Sequence, residues 1–94
     1  MFPVRKYRDE LKNKEWIVGI HIGELSAAFP LRELMETGQV KARVGEALIR
    51  VRYNADLGTV EALDESTGET LPTTRAYWFA WQAFYPETAL WRAP

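Results

Sequence analysis

Two stretches of the chain alternate apolar and polar residues on either side of a Gly-Glu pair. The first stretch occupies residues 16–29 around Gly23, and the second occupies residues 40–53 around Gly45. Strands rich in β-branched residues that flank a two-residue turn with glycine are typical of β-hairpins. The pattern therefore predicts two hairpins, each with one apolar face, because side chains alternate along a strand.

The two-residue turns also predict which residues lie opposite each other. In the first hairpin, Val18 is expected opposite Phe29 on the apolar face, and His21 opposite Ser26 on the other face. The remaining apolar pairs are Ile20 with Ala27 and Ile22 with Leu25 in the first hairpin, and Val44 with Ala47, Ala42 with Ile49 and Val40 with Val51 in the second.

Shorter elements are predicted after each hairpin. A helix is expected over residues 31–37, because Pro30 suits its first turn and Gly38 its left-handed end. Beyond the second hairpin, residues 59–63 should return as a strand and residues 69–71 should form another short one. The turns that precede these two strands are indicated by their Asn, Asp and Gly content.

The strongest concentration of apolar side chains is the segment 77–85, which carries six of the chain's twelve aromatic residues. β-Branched residues are absent from it and alanines are interleaved, which favours a helix over a strand. With Thr73 or Thr74 as its N-cap and Pro86 beyond its end, the predicted helix spans residues 75–85. A helix that is apolar on nearly every side is expected to be buried.

Together these elements predict an α+β domain. The hairpins and the returning strand pair would form a small curved antiparallel sheet or a partly open barrel, against which the short helix and the buried aromatic helix pack. With 94 residues, the chain is expected to be a single domain. Within it, residues 1–15 form a charged lead-in and residues 16–91 form the body.

Composition narrows the classes of function. The chain has no cysteine, which excludes disulfides, thiolate nucleophiles, zinc–thiolate sites and iron–sulfur clusters. Its net charge of −1 provides no overall attraction to nucleic acid or to anionic membranes. The N-terminus lacks a signal-peptide pattern and no apolar segment reaches ~20 residues, so a soluble, cytoplasmic protein is expected.

His21 and Ser26 are the only pair whose residue types match nucleophilic catalysis. A catalytic triad also needs an orienting carboxylate and an oxyanion hole, and Glu24 lies in the turn between the two residues. The chain has no calcium-type acidic loop, no glycine-rich phosphate loop and no dinucleotide fingerprint. We therefore expect no catalytic residue, no metal site and no cofactor, and a structural or solvent-exposed His21.

The aromatic segment also suggests a binding site. The rings of Trp78, Trp81 and Tyr85 could wall a pocket for a flat ligand, and core packing explains the same rings more simply. Beyond Pro86, Trp91 is expected to be the most exposed aromatic residue and could mark a surface for a partner.

The polar face of the second hairpin suggests a third site. It carries four cations that could hold a polyanion, namely Lys41, Arg43, Arg50 and Arg52. Nucleic acid is not expected there, since modules that bind it combine basic charge with exposed aromatic side chains on the sheet. If the returning strand pairs as predicted, Glu61 meets Arg50 or Arg52 and neutralises part of this charge.

Several segments together resemble the bacterial and archaeal domain-of-unknown-function family 3179. They are residues 18–24, 28–31 and 44–46, and above all Tyr77-Trp78-Phe79-Ala80-Trp81-Gln82-Ala83-Phe84-Tyr85-Pro86-Glu87-Thr88. The similarity covers residues 16–91 and resembles the C-terminal part of the longer family members. Those members carry a Tyr-Cys-Pro-Leu-Cys-type segment and a Trp-His-Glu segment in their other half, and this chain has neither.

The resemblance implies a shared fold and no activity, because the family has none assigned. It also implies that the chain is a short relative, or a fragment whose missing half would cover its sheet. The expected function is a non-catalytic binding or protein-interaction module, with an unidentified protein partner or self-association. The alternatives are the small-ligand pocket at the C-terminal aromatics and, third, polyanion binding on the basic face.

Overall fold

The computed structural model describes residues 10–92. The predicted lead-in over residues 1–15 therefore falls largely outside the described residues. Within the described range the chain forms eight strands and two helices. They are β1 (Trp16–Ile22), β2 (Leu25–Pro30), α1 (Leu31–Thr37), β3 (Gln39–Val44), β4 (Ala47–Asn54), β5 (Thr59–Asp64), β6 (Thr70–Leu71), β7 (Thr74–Tyr77), α2 (Trp78–Phe84) and β8 (Ala89–Leu90).

The strands form two separate sheets. The first sheet has the order β7-β1-β2-β8, and the second has the order β3-β4-β5-β6. Neighbouring strands are antiparallel, except that β8 runs parallel to β2. The architecture is thus α+β with mostly antiparallel sheets, and it is neither a single curved sheet nor a barrel.

Both predicted hairpins form in the predicted register. Val18 pairs with Phe29 and His21 with Ser26 across the first turn, and Val44 pairs with Ala47 beside the second turn. Gly23 and Gly45 have φ values of 58° and 61°, the left-handed conformation that these tight turns require. Local sequence therefore decides the pairing within each hairpin.

The main core lies between the two sheets, where the apolar faces of the hairpins meet. It combines Val18, Ile20, Ala27 and Phe29 of the first sheet with Val40, Val44, Ile49, Val51 and Ala62 of the second, and with Leu34 of α1. Each hairpin has only one apolar face, so stacking the two faces removes both from water at once. Placed side by side in one sheet, the same faces would need a further layer to cover them.

Helix α1 begins directly after β2 and contacts strands of both sheets. Its C-terminus is closed by Gly38, whose φ of 83° suits glycine and whose N–H donates to the Leu34 carbonyl at 2.7 Å. The helix spans the predicted residues, and its Leu34 side chain is fully buried. Met35, expected on the same apolar face, is instead 49% exposed.

Helix α2 packs on the outer face of the first sheet and forms a second, smaller core. Trp78 and Trp81 are buried there with Ile17 and Ala28. Trp81 lies directly over Gly19, where any β-carbon would overlap the indole ring. A glycine inside a strand often marks such a close approach.

The predicted buried helix over residues 75–85 is not confirmed. Residues 74–77 form β7, which pairs with β1, and the helix begins only at Trp78 without a side-chain N-cap. Its buried residues are Trp78, Trp81 and Gln82, whereas Phe79 and Phe84 are exposed. Residues 74–77 form hydrogen bonds with the open edge of β1, and this pairing prevails over the helical preference of the segment.

Trp91 is also placed differently from the prediction. It is half-buried, packs against the main core, and has its ring centroid 6.1 Å from that of Phe29. The backbone N–H of Trp91 donates to the Ala28 carbonyl at 2.9 Å, continuing the contact of β8 with β2. The chain beyond α2 therefore returns to the sheet.

Candidate interaction surface

Three aromatic rings that are partly exposed lie in a row at one corner of the first sheet. Trp16 and Tyr77 are paired across β1 and β7, and their ring centroids are 4.3 Å apart. Tyr77 in turn stacks on Phe79 of α2, with centroids 6.0 Å apart and an interplanar angle of 20°. We call Trp16, Tyr77 and Phe79 the aromatic surface. Its outer members, Trp16 and Phe79, are 46% and 43% exposed.

Backbone hydrogen bonds hold these rings in place. The N–H of Trp78 donates to the Glu15 carbonyl at 2.9 Å, and the N–H of Phe79 donates to the Asn13 carbonyl at 3.0 Å. The first N–H groups of a helix have no partner within the helix, so these carbonyls serve as its cap. The start of α2 is thereby fixed to the segment before β1, which sets Phe79 beside Tyr77.

A groove adjoins the aromatic surface between Trp16 and α1. Its volume is about 490 Å³, within the range of 300–1,000 Å³ typical of binding clefts. Leu31 and Met35 of α1 form its apolar wall opposite Trp16. The charged residues on its rim are Lys14, Glu15, Arg32 and Glu36.

The rim of the groove carries equal numbers of cations and anions. Arg32 lies 3.7 Å from Glu15, in an ion pair whose arginine is largely exposed. Exposed pairs of this kind contribute little to stability, about 0–1 kcal/mol. The rim is therefore balanced in charge around an apolar centre, which is the usual arrangement of a protein–protein interface.

The rings predicted to line a ligand pocket are used in packing. Trp78 and Trp81 are buried and Tyr85 is half-buried, with the Trp81 and Tyr85 centroids 4.3 Å apart. The Trp81 indole N–H donates to the Thr88 hydroxyl at 2.9 Å in a buried hydrogen bond. A ligand between these rings would have to displace contacts that hold α2 on the sheet.

His21 lies near the end of β1, opposite Ser26 as the hairpin register predicts. The imidazole is exposed and stacks on Tyr85, with centroids 5.8 Å apart. This contact gives the histidine a packing role beside α2. Among residues 10–92, no group of three His, Asp or Glu side chains is arranged to hold a metal ion.

The four predicted cations share the outer face of the second sheet, and three of them have carboxylate partners. Arg50 lies 2.5 Å and Lys41 3.9 Å from Glu65, and Arg52 lies 3.3 Å from Glu61. The fourth, Arg43, donates to the Glu46 carbonyl at 3.4 Å. Glu61 thus meets Arg52, one of the two partners predicted for it. Glu65, which the sequence places in a turn, neutralises more of this face than expected.

Sequence reasoning missed the aromatic surface. Its position depends on the pairing of β7 with β1, whereas the local sequence of β7 predicts a helix. One signal was nevertheless present. Trp78, Trp81, Gln82 and Tyr85 follow the i, i+3, i+4, i+7 spacing of one helical face, which leaves Phe79 directed away from that face.

Within the described part of the chain, no helix has the length and apolar character needed to cross a membrane. A comparison with curated proteins finds no match, and a comparison with solved structures finds none either. A family model described as a protein of unknown function (DUF3179) matches residues 1–69, which are 69 of the 94 residues. The match contains both hairpins and ends before the aromatic segment. The chain belongs to the DUF3179 family of proteins of unknown function.

Proposed function

We propose that this chain is a non-catalytic protein-interaction module whose binding site is the aromatic surface with the adjoining groove. The observation that supports the proposal most directly is the exposed, continuous row of Trp16, Tyr77 and Phe79. Contiguous exposed apolar patches on a small domain typically mark interaction sites.

The residue types of the surface favour a protein as its ligand. Trp and Tyr are enriched at the energetic centres of interfaces, since they bury a large rigid area and lose few rotamers. Met35, 49% exposed in the groove, adds an adaptable apolar side chain of the kind that binding surfaces use. The balanced rim would supply polar contacts around this centre.

The rigidity of the site supports the same proposal. Both strands that carry Trp16 and Tyr77 belong to one sheet, and Phe79 is held by the bond to the Asn13 carbonyl. Rings that are already ordered lose little conformational freedom on binding, so more of their contact energy appears as affinity.

Photo-crosslinking in the cells that make the protein tests the proposal. A photoreactive phenylalanine analogue is placed at position 79, and a matched control carries it at position 84, whose ring is 80% exposed and outside the row. We expect a crosslinked product from position 79 that disappears when Trp16→Ala is added, and little product from position 84.

Two results would argue against an interaction site here. One is equal crosslinking from both positions, which would indicate random collision. The other is a complete absence of product at position 79 in cells that produce the folded protein. The mass of the product distinguishes a second copy of the chain from a different protein.

A further inference from the structure

As described over residues 10–92, the two sheets have four edges, and three of them are protected against further pairing. Strands β6 and β8 have two residues each, and Pro72 follows β6. Strand β3 carries Lys41 and Arg43 along its edge. Short strands, proline and basic side chains are the usual means by which proteins discourage edge pairing.

Strand β7 differs from the other three. It has four residues, Thr74–Tyr77, with no proline or lysine among them. Its one charged side chain, Arg75, is directed to the other sheet, where its guanidinium donates to the Gly58 carbonyl at 2.5 Å. Within residues 10–92, β1 is the strand that pairs with β7, and its outer side has no strand partner.

The hydrogen-bonding pattern identifies the groups that point outward from β7. The backbone N–H of Trp78 donates to the Glu15 carbonyl, so the backbone groups of residue 78 point toward β1. Along an antiparallel strand, residues whose N–H and C=O groups point toward one neighbour alternate with residues whose groups point the other way. Thr74 and Ala76 therefore bond to β1. The N–H and C=O groups of Arg75 and Tyr77 point away from the sheet.

We propose that β7 pairs in antiparallel fashion with β7 of a second copy of this chain, joining two first sheets into one eight-stranded sheet. This inference rests on the proposed function, since Tyr77 belongs to both β7 and the aromatic surface. A twofold axis beside Ala76 sets Arg75 opposite Tyr77 of the second copy. The outward N–H and C=O groups of both residues then bond across the axis.

Charge supports a second copy as the occupant. A twofold interface brings each surface against itself, so a rim of one sign would repel its own copy. The rim here has two cations, Lys14 and Arg32, and two anions, Glu15 and Glu36. The chain's net charge of −1 adds almost no long-range repulsion.

Position 77 allows a test that separates the backbone bond from the ring. Tyr77→Ala removes the ring and keeps the N–H, whereas Tyr77→Pro removes both. The φ of Tyr77 is −74°, within the range that proline adopts, and its N–H is not used by β1. Both variants should therefore fold. Urea unfolding of each variant tests this.

Sedimentation velocity over a series of protein concentrations measures the dimer dissociation constant. We expect a reversible dimer for the wild-type chain, weaker for Tyr77→Ala. Tyr77→Pro should be weaker than Tyr77→Ala by at least about tenfold, since two symmetric hydrogen bonds are lost.

A wild-type chain that stays monomeric at millimolar concentration overturns the dimer, as does a dimer equally strong in both variants. If the chain is monomeric but position 79 still crosslinks to another protein, only the dimer fails and the interaction surface stands. If the chain is monomeric and position 79 crosslinks to nothing in cells, the proposed function fails together with the dimer.

A second pair of variants is used if Tyr77→Pro unfolds. Arg75→Pro then removes the other outward N–H and is compared with Arg75→Ala.

Discussion

The indole ring of Trp81 lies directly against the backbone of Gly19, where α2 crosses β1. A β-carbon at position 19 would overlap ring atoms Cη2 and Cζ3 of the indole. Gly19 lies within the ladder of the first sheet, paired with Ala28 on one side and Thr74 on the other. Because the strand cannot move away without breaking these pairs, any side chain at this position must displace Trp81.

The first prediction is that Gly19→Ala destabilises the protein by about 2–3 kcal/mol, the cost of overpacking a closely fitted core. Urea unfolding followed by circular dichroism measures it. The matched control is Gly19→Ala in a Trp81→Leu background, where the smaller side chain leaves room for the methyl group. The two substitutions should be non-additive, with the alanine costing less in that background. An equal cost in both would show that Trp81 is not the obstacle.

The second prediction concerns the buried bond between the Trp81 indole N–H and the Thr88 hydroxyl. Thr88→Val keeps the shape of the side chain and leaves the indole N–H without this acceptor. We expect a loss of about 1–3 kcal/mol in the free energy of unfolding, the cost of an unsatisfied buried donor. In a Trp81→Phe background, which has no N–H, the same change should cost markedly less. Equal losses in the two backgrounds would contradict the assigned bond.

The third prediction uses tryptophan fluorescence to test the exposure of the aromatic surface. Of the four tryptophans, Trp16 is the most exposed, Trp91 is half-buried, and Trp78 and Trp81 are buried. Trp16→Phe should lower the fraction of emission quenched by acrylamide and shift the remaining emission to shorter wavelengths. Trp91→Phe, the matched control, should change both quantities less. A larger effect from Trp91 would contradict the placement of the two rings.

The fourth prediction concerns the basic face of the second sheet. Since Glu61 and Glu65 neutralise Arg50 and Arg52, the wild-type chain should elute from heparin below physiological salt. The double variant Glu61→Gln plus Glu65→Gln should elute at higher salt, and adding Arg50→Glu and Arg52→Glu should abolish the gain. Heparin chromatography with a salt gradient measures each elution point.

A matched control separates local pairing from overall charge. Glu24→Gln plus Glu36→Gln changes the net charge by the same amount in a turn and on α1, both away from this face. If it raises the elution point as much as the first double variant does, the effect is one of net charge. Strong retention of the wild-type chain at physiological salt would instead favour polyanion binding.

The local elements of the fold were largely predictable. The Gly-Glu turns, flanked by alternating side chains, determine the pairing of Val18 with Phe29 and of Val44 with Ala47. Pro30 and Gly38 mark the limits of α1 for equally local reasons. Each of these depends on residues a few positions apart, so the backbone preferences act before any distant part of the chain is in place.

The long-range pairings were not predictable from local preference. Residues 74–77 lie among helix-favouring neighbours, yet they pair with residues 16–19 more than fifty positions earlier. The aromatic surface follows from that pairing, because it sets Tyr77 between Trp16 and Phe79. Edge pairing depends on which strand is left open, a property of the assembled sheet rather than of either segment.

The sequence alone therefore determined the two hairpins, the short helix, the absence of cysteine chemistry and the near-neutral charge. The tertiary structure decided that the hairpins stack as two sheets, that α2 buries only one face, and that Trp16 and Phe79 remain exposed. The physical reason is that the alternation of apolar and polar residues specifies which face of a strand or helix is apolar, but not which part of the chain covers that face. For the segment that begins at Tyr77, one side of the helix is covered by Gly19 and Ile17, and the other side is left as a surface.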